Sequence, residues 1–218
     1  MSPMQLGYEI VLHHGPVECL PARIVVLASG AGSLANALIQ AAREDYPARV
    51  VAIGVDRPCL AQQVATQAAI PSFMVSMDHY ESREDWDKAL REVTAAYRPD
   101  YVVSAGFMRI LGPGFIEHFP GRILNTHPAL LPAFPGAHAV ADALAYGVKV
   151  TGCSMHIVDS GVDTGPIIAQ RVVEICDDDD EHSLHERIKT IERVLLVEVI
   201  ARIVTGGITC SDRKVTLG

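Results

Sequence analysis

The sequence predicts an α/β fold: a mostly parallel, Rossmann-like sheet with helices on both faces and an antiparallel extension at one edge. Three observations predict it. Short apolar, β-branched runs alternate with segments of helical spacing through the first half of the chain. A glycine loop separates the first such run from the first helix. Further on, two alternating runs follow one another across a short loop, ahead of one long closing helix.

Each element has its own reason. Arg23 to Ala28 (RIVVLA) reads as the first strand and ends in SGAGS. SLANALIQAARED has helical spacing, with Leu34, Leu38 and Ala41/Ala42 on one face, and stops before Pro47. ARVVAIGVD is the second strand, RPCLAQQVATQA is helix-like, and Ile70 to Val75 is a short strand interrupted by Pro71. Ser82 with Asp85 resembles a capping box for a helix through Tyr97, closed by Pro99. DYVVSAG and GRILNTH are the fourth and fifth strands. VKVTGCSMHIVD alternates and reads as a half-exposed strand; GPIIAQRVVEI is its antiparallel partner across SGVDT. Ser183 with Glu186 marks a capping box for a long helix striped by Leu184, Ile188, Ile191, Leu195, Val199 and Ile203, ending at Gly206-Gly207. The expected organisation is an N-terminal extension over residues 1–22, a single domain over 23–206 and a C-terminal tail over 207–218.

The totals narrow the class. A chain of 218 residues, 49% hydrophobic, can bury one full α/β core. No apolar run reaches the ~20 residues of a membrane span, and the N-terminus lacks a basic stretch followed by an apolar one. A soluble, cytoplasmic protein without a membrane partner is expected. The five cysteines are odd in number and scattered, against a disulfide framework and against a CxxC zinc site. A net charge of −8 argues against a nucleic-acid partner. A small anion can still bind locally, because backbone amides do not appear in net charge. The run Asp177-Asp178-Asp179-Asp180-Glu181 reads as a solvated loop ahead of a helix, where the macrodipole favours negative charge. Consecutive acids rarely converge on one ion, so no metal is expected there.

Two stretches carry chemistry. Gly30-Ala31-Gly32-Ser33-Leu34-Ala35 fits G-x-G-x-x-A between a strand and a helix, and Asp56 closes the second strand. That is the layout of a dinucleotide fingerprint, with Asp56 placed for a ribose hydroxyl. A single phosphate would suit the free amides of a helix start equally well, and tight strand–helix packing would also explain the glycines. The other stretch is NTHPALLP, at the end of the fifth strand. Ligands of open parallel sheets sit outside the carboxyl ends of the strands. SGAGS, AGFMRIL and NTHP all fall there, and Asp163 in GVDTGP could fold over the same edge. Asn125, His127 and Asp163 form a chemical set: an amide donor for an oxyanion, an imidazole that moves protons, and a carboxylate that favours and orients the imidazolium. Such a set suits attack on a carbonyl without a covalent enzyme intermediate. No G-x-S-x-G elbow is present and no cysteine lies near the motif, so the nucleophile would belong to the substrate. In isolation, a histidine before proline is commonly a capped loop residue, and DTGP commonly a turn.

Taken together, these motifs resemble the glycinamide ribonucleotide transformylase family, the folate-dependent formyltransferases of purine synthesis. VVLASGAGS, AGFMRIL, LNTHPALLPAFPGAH (which includes His138) and TGCSMHIVDSGVDTGPII carry the resemblance, in that order, within residues 23 to 205. The resemblance implies the formyltransferase version of the Rossmann-like fold and formyl transfer from 10-formyltetrahydrofolate, the co-substrate, to the amine of glycinamide ribonucleotide, with no metal. It implies that Asn125 and His127 bind and polarise the formyl oxygen and that Asp163 assists proton transfer. Gly32, Ser33 and Leu34 would hold the phosphate. Glu192 would receive the amine end, with Arg187 and Lys189 about one turn before it. Met108, Arg109, Ile110 and Leu111, with Asp159, Val162 and Asp163, would line the pterin pocket, where Asn125 also reaches the donor. Arg83 matches an arginine near the folate tail. The sequence departs from the family at Leu34, where an asparagine is common; Asn36 lies two residues on. The sister activities are methionyl-tRNA formyltransferase, formyltetrahydrofolate hydrolase and formylation of another amine; a dinucleotide-binding protein and an inactive regulator stand outside them. The first two normally carry an additional domain. An apolar face on the late strands could pair two copies into a homodimer.

Overall fold

Five strands run parallel because each returns to the same end of the sheet through a connection that crosses its face. In the computed structural model, which describes residues 21–42 and 45–218, they are β1 (Ala22–Ala28), β2 (Ala48–Val55), β3 (Ser72–Met74), β4 (Tyr101–Ser104) and β5 (Ile123–His127). The helices are α1 (Ser33–Ala41), α2 (Leu60–Gln67), α3 (Arg83–Ala96), α4 (Pro113–His118), α5 (Ala139–Tyr146) and α6 (Glu181–Gly206). Strands β6 (Val150–Ile157) and β7 (Ile167–Glu174) complete the sheet, in the order β3-β2-β1-β4-β5-β6-β7. β6 runs antiparallel to β5, and β7 antiparallel to β6. The extension expected over residues 1–22 lies, up to residue 20, outside the described residues.

The central strands are apolar without alternation because both faces are covered. Ile24, Val26 and Ala28 of β1 pack with α1 and α6; Val25 and Leu27 pack with Trp86 and Leu90 of α3 and Phe115 of α4. Strand order reverses between β1 and β4, and the crevice at that switch point is where an open α/β sheet holds its ligands.

Four local readings change. The long helix starts at Glu181, not after Ser183: Asp180 is the cap, accepting from the Ser183 N–H at 2.7 Å, while the Ser183 hydroxyl accepts from the Asp180 N–H at 3.0 Å. A short carboxylate caps as well as a hydroxyl does, so the last acids of the run belong to the helix. Strand β6 is buried along seven of its eight residues, because it lies inside the sheet; Ser154 and His156 on it are bonded internally. The half-exposed strand is β7. Residues beyond Gly207 form the hairpin β8 (Ile208–Ser211) and β9 (Lys214–Leu217), packed on β7 and α6 through buried Ile208 and Cys210, where a tail was expected. The short helices α4 and α5 had no clear sequence signal. Among the described residues, no helix is long and apolar enough to cross a membrane.

Candidate active site

The site begins with the two faces of β5. Side chains alternate along a strand, so Asn125 and His127 share one face and Thr126 takes the other. Strand β5 outruns its neighbour: Asn125 is level with Ser104, the last residue of β4, so Thr126 and His127 stand past that strand's end. The antiparallel β6 sets His156 directly opposite Asn125.

Four side chains converge there. Asn125 Nδ2 lies 3.0 Å from His156 Nε2 and 3.4 Å from Asp163 Oδ1. His156 Nδ1 lies 3.0 Å from the Ile157 carbonyl, which can only accept, so Nδ1 carries the proton and Nε2 accepts from the amide. Asp163 Oδ2 stands 3.4 Å from His127 Nδ1 and accepts from the Gly136 N–H at 2.8 Å. Burial alone would raise the Asp163 carboxyl, but its contact with His156, the bond from the Gly136 N–H and the nearby imidazoles hold it below the ordinary carboxylate value. His127 Nε2 donates to the Phe134 carbonyl at 2.8 Å. An acceptor therefore faces each ring nitrogen of His127.

The two prolines of NTHPALLP lie in a segment staked to the sheet. The Leu131 N–H donates to the Ser154 hydroxyl at 3.0 Å, that hydroxyl donates to the Ala129 carbonyl at 2.7 Å, and Gln170 Nε2 donates to the Leu131 carbonyl at 3.0 Å. The segment then folds back, with Phe134 at φ 53, to set its carbonyl on His127. Asp163 also lies in the left-handed region, at φ 54. Beyond it the chain passes so close to the Ile157 carbonyl that a Cβ on Gly165 would lie 1.7 Å from the oxygen.

These groups open onto a cavity of about 600 Å³. Gly32, Ser33 and Leu34 line it at the start of α1, which has no side-chain cap and so leaves first-turn amides for a ligand. Gly32 has φ 70, and a Cβ there would lie 2.8 Å from Ala61 Cα, so the loop is as close to α2 as backbone allows. Met108, Arg109, Ile110, Leu111, Asp159 and Val162 line another wall. Met108, Ile110 and Val162 are 63%, 54% and 47% exposed, an apolar surface suited to a flat ring, with loop backbone beside it for hydrogen bonds.

Helix α6 closes the far side. His185, Lys189 and Glu192 line the cavity at the spacing of one helical face. Glu192 is buried, which pushes its carboxyl up, opposed in part by the Thr126 hydroxyl and the cations of Lys189 and Arg193. Arg187 does not reach the cavity, against expectation. It is about 140° round the helix from Glu192 and bonds Asp179 and the Glu174 carbonyl. Arg83 also stands outside the lining, donating to the Ile110 carbonyl. Asp56, read as a ribose acid, is buried and paired with Arg109. Sequence reasoning gave His156 no role, although its place in an alternating run paired with β5 would have put it beside Asn125.

A model of the formyl transferase family matches residues 22–200. The chain is 61% identical over 198 residues to phosphoribosylglycinamide formyltransferase of Mycobacterium tuberculosis (strain H37Rv), covering 91% of this chain and 92% of that protein. It is 44% identical over 188 residues to the trifunctional purine biosynthetic protein adenosine-3 of Drosophila melanogaster, covering 84% of this chain and 14% of that one. Glycinamide ribonucleotide transformylase 1 from Symbiobacterium toebii has a similar structure, with TM-score 0.88 at 39% identity over 90% of this chain and 93% of that chain.

Proposed function

Because the chain belongs to the formyl transferase family, and its activity is formyl transfer to phosphoribosylglycinamide in purine biosynthesis, we propose that the cavity brings the two substrates together across the end of β5. The formyl group comes from a folate-derived donor; in this reading the donor is 10-formyltetrahydrofolate, with its ring against Met108 to Leu111 and Val162. The phosphate of glycinamide ribonucleotide meets the amides of Gly32 to Leu34, and its amine end meets Glu192.

The observation that carries this reading is the cluster of Asn125, His127, His156 and Asp163 at the junction of those two walls. The Asn125 amide gives one hydrogen to His156 and holds the other in a long, weak contact with Asp163, free for a formyl oxygen. His127 donates through Nε2; the formyl oxygen takes the bond now made to Phe134. Charge developing on that oxygen as the amine attacks is met by both donors, where preorganisation counts most. Asp163 holds the imidazolium and accepts the amine's proton, through water. Asp163 and Glu192 lie on opposite sides of β5, so the proton acceptor and the amine's anchor are separate carboxylates. The donor's nitrogen leaves with the proton returned to it.

Purified protein is assayed spectrophotometrically with a 10-formyl folate, with and without the ribonucleotide. Turnover that depends on the ribonucleotide and is lost in His127→Ala is expected. Near-normal turnover in that variant would remove the site assignment. A formyltetrahydrofolate hydrolase would turn over without the ribonucleotide, and a dinucleotide-binding protein is disfavoured by the burial of Asp56. In this reading the enzyme is cytoplasmic and works on small molecules, with neither nucleic acid nor membrane as partner. If it is a homodimer, the edge of β7 is the contact to test, by sedimentation.

A further inference from the structure

The glycine-loop motif leaves one residue without a task. Asp56 closes β2 where a ribose-binding acid would stand, yet its side chain is 0% exposed. A carboxylate buried that fully needs partners, and it has three. Arg109 Nε donates at 2.8 Å and Arg57 Nη2 at 3.1 Å, and the Ser29 hydroxyl bonds it as well. Ser29 is also bound to the segment after β4: its hydroxyl accepts from the Met108 N–H at 2.8 Å, and its own N–H donates to the Gly106 carbonyl at 3.2 Å. The ends of β1 and β2 and the loop after β4 therefore meet on one carboxylate.

Besides this anchor, the loop is held at Phe107, buried and stacked on Trp86, and by Arg83 donating to the Ile110 carbonyl. Gly106 turns it at φ 69, and the side chains of Met108 and Ile110 are exposed. Its far end is held separately, by Asp87 accepting from the N–H groups of Gly112 at 2.6 Å and Phe115 at 3.0 Å. We propose that Asp56 is a positioning residue for the formyl donor: through Ser29 and Arg109 it fixes the backbone of Met108 to Leu111 at the spacing the donor's ring requires. This rests on reading that segment as the donor wall. Burial would raise the Asp56 carboxyl, but the bonds from Ser29, Arg57 and Arg109 prevail and hold it below its ordinary value, so the anchor stays charged at working pH.

The test uses Asp56→Asn and Ser29→Ala in the full chain. Steady-state constants are measured for each substrate, and tetrahydrofolate binding is measured by calorimetry without the ribonucleotide. In Asp56→Asn, the donor KM and the tetrahydrofolate Kd should rise together by roughly ten- to a hundredfold, the effect of loosening a supporting contact. The ribonucleotide KM should stay within about twofold and saturated kcat within a few-fold, since a misplaced wall weakens binding more than chemistry. Ser29→Ala, which leaves both arginine pairs, should give a smaller version of the same split. An unchanged donor KM and Kd overturns the proposal. So does a fall in melting temperature with both KM values and kcat moving together, the mark of a merely structural residue. If Asp56→Asn does not fold, Ser29→Ala decides by the same criteria. Wild-type protein without ribonucleotide-dependent turnover would overturn the functional reading instead, while the tetrahydrofolate titrations still judge the positioning role.

Discussion

The glycine loop after β1 and the β5–β6 seam line one cavity and are built from different materials. The loop after β1 presents backbone: Gly32 at φ 70, pressed against Ala61, and the uncapped start of α1. The seam presents side chains: Asn125, His127, His156 and Asp163, each fixed by another. A site made of backbone tolerates side-chain change so long as the chain keeps its path. A site made of side chains tolerates almost none. Leu34 fits this contrast, standing in the backbone-built half where a lost side-chain donor leaves the amides in place.

The contrast can be broken from the seam outward. Asp163→Asn keeps the shape and removes the charge; with His127→Ala it should lower kcat by about 10²–10³, on the scale of a lost oxyanion-site donor, or about 3 kcal/mol. Rapid-quench kinetics would check it, and a loss under tenfold would mean that the seam is not where the chemistry occurs. His156→Ala leaves Asn125 free to rotate and should reduce kcat by roughly tenfold or more with substrate KM values little changed. Gly32→Ala tests the other half. Its Cβ would meet α2 backbone at 2.8 Å, so the ribonucleotide KM should rise about tenfold or more while kcat at saturation holds. Leu34→Asn should shift that KM by no more than about fivefold, the worth of one hydrogen bond; a larger gain would show that side chains matter at the loop too.

The pH dependence separates the two carboxylates. Asp163 is held below its ordinary value, so it stays ionised until pH falls beneath the usual carboxylate range. The acid limb of kcat/KM should lie there, and the stability this group contributes, present above its unfolded pKa, should be lost as pH falls through its folded one. Glu192 has the opposite sign. Its raised pKa means the folded protein binds its proton more tightly, so stability falls as pH rises from the unfolded value through the folded one. Glu192→Gln should therefore melt higher than wild type at pH 8 and lose that advantage at pH 4, while its ribonucleotide KM rises. Calorimetry at the two pH values decides it.

The parallel half of the fold was legible because RIVVLA and ARVVAIGVD are apolar from the residue after their arginine and stop near glycine or aspartate, as a doubly covered strand does. The antiparallel edge was legible because SGVDT is too short for a crossover. Burial of β6 was not, because Ser154 and His156 look like an exposed face until their partners elsewhere in the chain are known. For the same reason Asn125, His127 and Asp163 could be named from sequence, whereas His156, the return of Phe134 onto His127 and the loss of Arg187 to Asp179 could not. Each depends on a contact between residues far apart in the chain or on the far side of a helix. Asp56 was noticed through its motif and given the wrong partner, since the sequence says where a strand ends but not which loop folds over that end.

Asp163 sits in a backbone conformation that costs most residues about 1 kcal/mol or more and is cheap only for asparagine, aspartate and glycine. That restricts the routes by which this chain could drift. A lineage released from selection for formyl transfer can change Asn125 or His127 to many residues and stay folded, but at position 163 the easy exits are few. Asparagine is the nearest, one codon change away and identical in shape. Among distant descendants, asparagine at this position would record a protein that kept the fold and the binding cleft after giving up the reaction.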